Sequence, residues 1–176
     1  TGERSLQLAR YWGVGEARIR TGAVSVDHRA LSPLHHARTA DGTDGWPRAF
    51  LFVGRYHPRK AIDVLVAAYR KYRESVTNPW PLLTAGMGPE AMRLKGVEGI
   101  EDLGFVHPSD MLNVWRRAGV FVLPSRYDAW PLVNVEAAAS GLPVLCTQAC
   151  GSHVETVGHR YSGLVVETGS SDAFRA

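Results

Sequence analysis

Long apolar runs are missing from this sequence, and none approaches the roughly 20 residues that a bilayer-spanning helix needs. A membrane-embedded fold is therefore not expected. No basic segment followed by an apolar one opens the chain, so no secretory leader is expected either. Cysteine is scarce: Cys146 and Cys150 are the only two, four positions apart. With no second pair, and with the seven histidines scattered, they do not complete a metal centre. Cys146 closes an apolar run and reads as a small core residue, its thiol reduced in a cytoplasmic protein. Long tracts of one charge are absent too. A formal net charge of +3 with no Lys/Arg run argues against nucleic acid as a partner.

What remains is ordinary globular material. The 176 residues are 45% hydrophobic and 21% charged, which excludes a disordered chain, a coiled coil and a collagen-like repeat. That length suits one domain with one core. The charge within it is uneven. Residues 48–60 carry Arg48, Arg55, Arg59 and Lys60 and no acid, a cluster that suits a small anion better than a polymer.

The chain changes character near position 47. Residues 1–46 hold a short helical pattern (Leu6, Leu8, Ala9, Trp12), an expected short strand near Ile19, and a polar stretch, HHARTADGTDGWP, with the content of a loop. From position 49, apolar strand-like runs at 49–54, 81–86, 101–106, 119–124, 142–146 and 163–167 alternate with helical patterns at 61–75, 88–95, 108–117 and 132–140. Ile62, Leu65, Val66 and Tyr69 make one apolar helix face. Pro108, Asp110 and the Arg116–Arg117 pair suit the two ends of the helix at 108–117. Apolar strands separated by helices predict an α/β fold, a Rossmann-like, doubly wound parallel sheet with helices on both faces. Ligands bind such a sheet at the carboxyl ends of its strands. Chemistry is therefore sought in GRYHPRK, AGMGPE, FVHPSD, PSRYDAWP and TQACGSH.

Gly54 lets the chain turn at the end of the first strand, and Arg55 and Lys60 frame a loop that enters a helix. A helix N-terminus favours anions, and two cations there suit a diphosphate. The same residues also suit a solvated Arg59 and Lys60, with Arg55 paired to an acid. The Walker A pattern is absent. Gly86 and Gly88 either admit a ligand close to the backbone or simply close a tight turn. Phe105 and Val106, expected at the tip of the third strand, either hold a flat base by its face and edge or belong to the core. In the last of the informative loops, Asp128 precedes a helix started by Pro131, and Glu136 lies about one turn into it. The N–H groups of Leu132 and Val133 fall in its first turn, free to meet a phosphate or sugar oxygen. A carboxylate can accept both hydroxyls of a vicinal diol such as a ribose. The alternative is that Asp128 is a turn residue and Glu136 a solvated helix position. AAASGLPVL follows Glu136, however, and such small residues imply close packing, where an acid usually has a task.

In order, the chain carries VGR with a Lys five residues after the Arg, AGMGPE, LGFV, AGVFVLPSRYDAWPLVNVEAAASGLPV, and Glu155 followed by GHRYSGLVV. These motifs resemble the C-terminal, donor-binding domain of retaining glycosyltransferases of family 4 (glycosyl transferases group 1), which have the GT-B fold. The resemblance covers about 150 residues, from near Ile19 onward, and SVDHRALSP resembles the segment that joins the two domains of those enzymes. It implies that residues 1–46 are an interdomain segment or remnant of an N-terminal domain. Residues 47–176 are then a nucleotide-sugar donor domain without its C-terminal helices.

The resemblance also implies roles. Arg55 and Lys60 match the pair that binds the donor diphosphate and stabilises it as it leaves. Asp128 matches the first acid of a spaced pair, the one that contacts the transferred sugar, and completes the catalytic candidates. Glu136 matches the second acid, which holds the nucleotide ribose. Phe105 and Val106 fall where the base is read, and the N–H groups of Leu132 and Val133 near the phosphate and sugar. Gly54, Gly86 and Gly88 complete the donor-binding set. Three positions depart from the family's pattern. Asp128 replaces the usual Glu and reaches one methylene less far. Ala61 stands where a Gly commonly follows the Lys. Pro131 stands where many members have Gly, and removes one N–H donor.

The implied reaction is transfer of a sugar from a nucleotide-sugar to an acceptor with retention at the anomeric carbon. No metal or other cofactor is expected, the two basic side chains serving in a metal's place. The acceptor domain is expected to be missing, so the chain should bind nucleotide and not transfer sugar alone. A cytoplasmic location is expected, with peripheral association of the full-length protein at the inner face of the cell membrane left open. The rival reading is a non-catalytic nucleotide- or phosphate-binding α/β module. A receiver domain would need clustered acids where Gly54 and Arg55 end the first strand, and a dehydrogenase would need G-x-G-x-x-G there. Sugar-nucleotide epimerases share the GT-B fold without this order of motifs.

Overall fold

The computed structural model describes residues 2–22, 25–40 and 45–174. Six parallel strands form one sheet: β1 Phe50–Val53, β2 Leu82–Ala85, β3 Ile100–Asp102, β4 Val120–Leu123, β5 Val144–Thr147 and β6 Gly163–Val166. Their order is β3-β2-β1-β4-β5-β6. The chain winds outward from β1 through β2 to β3, then returns beside β1 as β4 and winds the other way. At that reversal the chain leaves β1 and β4 toward helices on opposite faces of the sheet, and the two loops meet at its carboxyl edge, where ligands bind in such folds. The helices are α1 Gly2–Tyr11, α2 His28–Ala40, α3 Ile62–Ser75, α4 Met111–Arg117, α5 Leu132–Ala139 and α6 His153–Thr156. The fold is the doubly wound α/β sheet that the sequence predicts.

Alternation along the strands divides the core between two layers. On one face Leu65, Ala68, Tyr69 and Tyr72 of α3 lie over Phe50, Leu82, Val122 and Leu145, with the Tyr72 ring edge-on to Phe50 at 5.1 Å. On the other face the buried Trp115 of α4 sets its ring 5.6 Å from Phe121 of β4. Each fully buried side chain of this size contributes about 1.5–3 kcal/mol of transfer free energy. No helix among the described residues is long and apolar enough to cross a membrane.

Several local expectations change. The polar stretch from His35 predicts a loop, yet α2 runs on to Ala40 and packs against α4 and α5. Its buried positions are Leu31, Leu34 and Arg38. The Arg38 guanidinium donates to the carbonyls of Ser140, Trp115 and, at 3.3 Å, Ala118. Those carbonyls lie in the last turns of α5 and α4, at the negative pole of the helix dipole; the Trp115 carbonyl also accepts the Ala118 N–H at 3.2 Å. A cation is therefore at home there.

The third strand is shorter and earlier than the 101–106 run predicts. It ends at Asp102 and lies partly exposed at the sheet edge, so the strands are not apolar throughout. The Asp102 carboxylate accepts hydrogen bonds from the Tyr56 hydroxyl at 2.6 Å, the Thr84 hydroxyl at 3.2 Å and the Gly104 N–H at 3.1 Å, and the chain turns away there. Residues 88–95 contain only a 3-10 turn, Pro89–Arg93, and a second turn, Pro108–Asp110, precedes α4. Ile19 joins no strand among the described residues; it follows a 3-10 turn at Glu16–Arg18.

Candidate functional site

The loop leaving β1 carries Gly54 and Arg55 into a 3-10 turn, Pro58–Lys60. His57 caps that turn, its Nδ1 accepting the Arg59 N–H at 3.2 Å. Ala61 then opens α3 in the left-handed conformation (φ 54, ψ 49), fully buried. A side chain there costs about 1–2 kcal/mol relative to the right-handed region. The departure from Gly seen in the sequence is thus a strained position, set directly after Lys60.

The loop leaving β4 is held on two sides. Toward β5, the Asp128 N–H donates to the Ala149 carbonyl at 3.1 Å and the Gly151 N–H to the Asp128 carbonyl at 2.8 Å. Toward β1, the Arg126 N–H donates to the Arg59 carbonyl at 2.7 Å. The Arg126 guanidinium adds a hydrogen bond to the Pro58 carbonyl at 3.0 Å and grips both Asp63 oxygens at 2.8 and 2.6 Å. That guanidinium holds the Asp63 carboxyl below its ordinary range. The Lys60 ammonium reaches across to the Asp128 carboxylate, both side chains mostly buried. Lys60 therefore finds the acid, whereas the Arg55 guanidinium has no partner among the described residues.

Two clefts open over these loops. The first, about 590 Å³, is lined by Arg55, His57, Arg59, Lys60, Tyr127, Asp128 and Ala129. The second, about 490 Å³, is lined by Val53, Gly54, Arg55, Ala85, Gly86, Met87, Gly88, Phe105, Val106 and Met111. Arg55 belongs to both. Arg55, Lys60 and Asp128 thus come together in the first, and Gly54, Gly86, Gly88, Phe105 and Val106 in the second. Phe105 is 63% exposed, so it is a cleft residue and not a core one.

The glycines also have a packing task. A Cβ on Gly86 would stand 1.9 Å from the Gly54 carbonyl oxygen, and one on Gly88 (φ +153) 2.3 Å from the Tyr56 carbonyl oxygen. Tight approach of two loops requires both.

Leu132, Val133 and Glu136 line neither cleft. They lie on α5, which follows the Asp128 loop. Its first backbone bond runs from the Asn134 N–H to the Pro131 carbonyl at 3.2 Å, leaving the Leu132 and Val133 amides as first-turn donors without a helical acceptor. Burial pushes the Glu136 carboxyl above its ordinary range, and no ion pair among the described residues offsets this. His57, Tyr127, Met87 and Met111 were not singled out from the sequence. Only the placement of Tyr127 between Arg126 and Asp128 gave any signal. Both cysteines are buried and free of any disulfide, and no cluster of three metal-ligating side chains occurs among the described residues.

The sequence matches the family model described as Glycosyl transferases group 1 over residues 47–176. The chain belongs to that family. D-inositol 3-phosphate glycosyltransferase of Saccharomonospora viridis is 32% identical over 180 residues, covering 92% of this chain and 41% of the relative. Among solved structures, sucrose-phosphate synthase from Thermosynechococcus elongatus superposes with a TM-score of 0.75 at 27% identity, covering 99% of this chain and 46% of that one. Anabaena HepE, crystallised with UDP and glucose, gives 0.69 at 19% identity and covers 98% of this chain and 50% of that one. These neighbours make the sheet one half of a GT-B fold. The chain spans about two fifths of the length of the curated relatives it matches.

Proposed function

We propose that this glycosyl transferases group 1 chain is the donor-binding half of a retaining, family 4 glycosyltransferase that transfers a sugar from a nucleoside-diphosphate sugar to an acceptor. The observation that carries this reading is Arg55, a cation unpaired among the described residues and shared by a charged cleft and a glycine-lined apolar one. A nucleotide-sugar has the same sequence of parts. Its flat base suits Phe105, Val106 and the backbone around Gly86 and Gly88, its diphosphate suits Arg55 and Lys60, and its sugar suits the side of Asp128. Glu136, desolvated and without an ion pair among the described residues, suits the ribose diol, and the first-turn amides of α5 suit a phosphate or sugar oxygen. The UDP and glucose held by Anabaena HepE support a donor of this class.

In this reading the bond between the anomeric carbon and the β-phosphate oxygen breaks, and its electron pair leaves on the nucleoside diphosphate. The acceptor hydroxyl oxygen forms the new bond on the same face, and its proton passes to the departing phosphate oxygen. Arg55 and Lys60 meet the developing charge without a metal. A cation about 4 Å away gains around 4 kcal/mol at an effective dielectric of 20. Asp128, already tied to Lys60, keeps that ammonium at the sugar end until the diphosphate arrives. The acceptor site belongs to the remaining length of such a protein, so this chain binds nucleotide and does not transfer sugar alone.

A thermal-shift titration with UDP, GDP and ADP tests the donor site. At a hundred times its dissociation constant, the right nucleotide should raise the melting temperature by about 5–11 °C, and Arg55→Ala should abolish the rise. No rise with any of the three overturns the site assignment. Transfer to any acceptor by the chain alone overturns its assignment as a half.

A further inference from the structure

The charged cleft holds one cation more than the assignment of the donor diphosphate uses. Arg55, Arg59 and Lys60 line it, and Asp128 is the one acid among the described residues that line it, already engaged by Lys60. With Arg55 and Lys60 given to the diphosphate, Arg59 is left over. It makes no ion pair among the described residues, and its guanidinium lies 6.0 Å from the centroid of the Tyr127 ring. Such a cation–π contact holds the group over the cleft without neutralising it. Arg59 lines the charged cleft and not the apolar one. A donor that bridges the two at Arg55 therefore has Arg59 on its sugar side.

Two neighbours strengthen the arrangement. The Arg59 N–H donates to Nδ1 of His57, so in the neutral ring the proton sits on Nε2, where it is a further donor lining the same cleft. The Arg59 carbonyl is pinned by the Arg126 N–H at 2.7 Å, which fixes the backbone from which the side chain departs.

We infer that Arg59, with His57 and Tyr127, forms a second anion subsite that takes a phosphate or carboxylate on the sugar side, carried by the acceptor or by the transferred sugar. The inference rests on the donor reading for its geometry. The two fail separately, because UDP binding tests one and a second anion tests the other.

Inorganic phosphate is titrated calorimetrically into the chain saturated with UDP. The wild type takes up phosphate beside the nucleotide. Arg59→Ala weakens that phosphate about tenfold or more, the loss of one charge-assisted contact, while costing less than about threefold on UDP. Arg59→Lys recovers part of the loss. Replacing phosphate by glucose 6-phosphate and glucose, and UDP by UDP-glucuronate and UDP-glucose, finds the source of the charge. A preference for the sugar phosphate that depends on Arg59 places it on the acceptor, and one for the glucuronate places it on the transferred sugar. If UDP fails to bind, the donor reading falls; phosphate binding to the free chain that still depends on Arg59 keeps the subsite. Equal phosphate affinity in wild type and Arg59→Ala, or no phosphate binding at all, overturns it.

Discussion

The charged cleft and the apolar cleft share Arg55 and are built by different means. The charged one is made of long side chains, and its two loops are laced by Arg126 to Pro58, Arg59 and Asp63 and by Lys60 to Asp128. The apolar one depends on side chains that are missing, since Gly86 and Gly88 let the loops after β1 and β2 touch backbone to backbone. Lacing by partly exposed polar groups is adjustable and individually weak. Backbone contact is neither, because no rotamer relieves an atom placed against a carbonyl.

The difference ranks what mutation should do. Gly86→Ala drives a methyl onto the Gly54 carbonyl oxygen and should cost about 3 kcal/mol or more, roughly 6–12 °C in a melting scan. An unchanged melting temperature would mean that the two loops part easily. Arg126→Ala should cost only about 1 kcal/mol of stability, yet weaken nucleotide binding several-fold through the displaced Lys60 turn, as calorimetry can check. Ala61→Gly sets opposing effects against each other. It releases a left-handed strain of about 1–2 kcal/mol, against about 0.5–1 kcal/mol of chain entropy and about 0.8 kcal/mol for the buried methyl, so the melting temperature should change by no more than a few degrees.

The smallest effect concerns pH. Glu136 has its carboxyl pushed up in the folded chain, so folding favours its protonated form. Its contribution is most favourable below the ordinary carboxylate range and is lost as pH rises through the raised value. Glu136→Gln should flatten that loss and be the more stable chain at neutral pH. Asp63, held down by Arg126, runs oppositely, its stabilisation lost as pH falls. Urea melts from strongly acidic to neutral pH, with and without the Gln variant, separate the two slopes, that of Asp63 lying below the ordinary carboxylate range and that of Glu136 above it.

The sheet was legible because five of its strands are short apolar runs bounded by turn residues. β3 was misplaced because the apolar Leu103, Phe105 and Val106 follow the strand, whose end is set by Asp102 bonding to Tyr56 and Thr84 of other segments. No local pattern contains that information. α2 was hidden by its own core, where Leu31 and Leu34 are followed by Arg38 at the next buried turn, and an arginine spoils an apolar count. At the site, the residue types of the β1 and β4 loops pointed to anions and hydroxyls. The pairing of Lys60 with Asp128 did not, because it joins residues 68 positions apart. Arg126 was invisible as a fastener for the same reason.

Arg38 has a mechanical consequence. It ties α2 to the ends of two helices, so a pull on residue 27 is delivered to α4 and α5 before it reaches β1. Through that guanidinium, with Leu31 and Leu34 buried beside it, α2 travels with α4 and α5 as one lever.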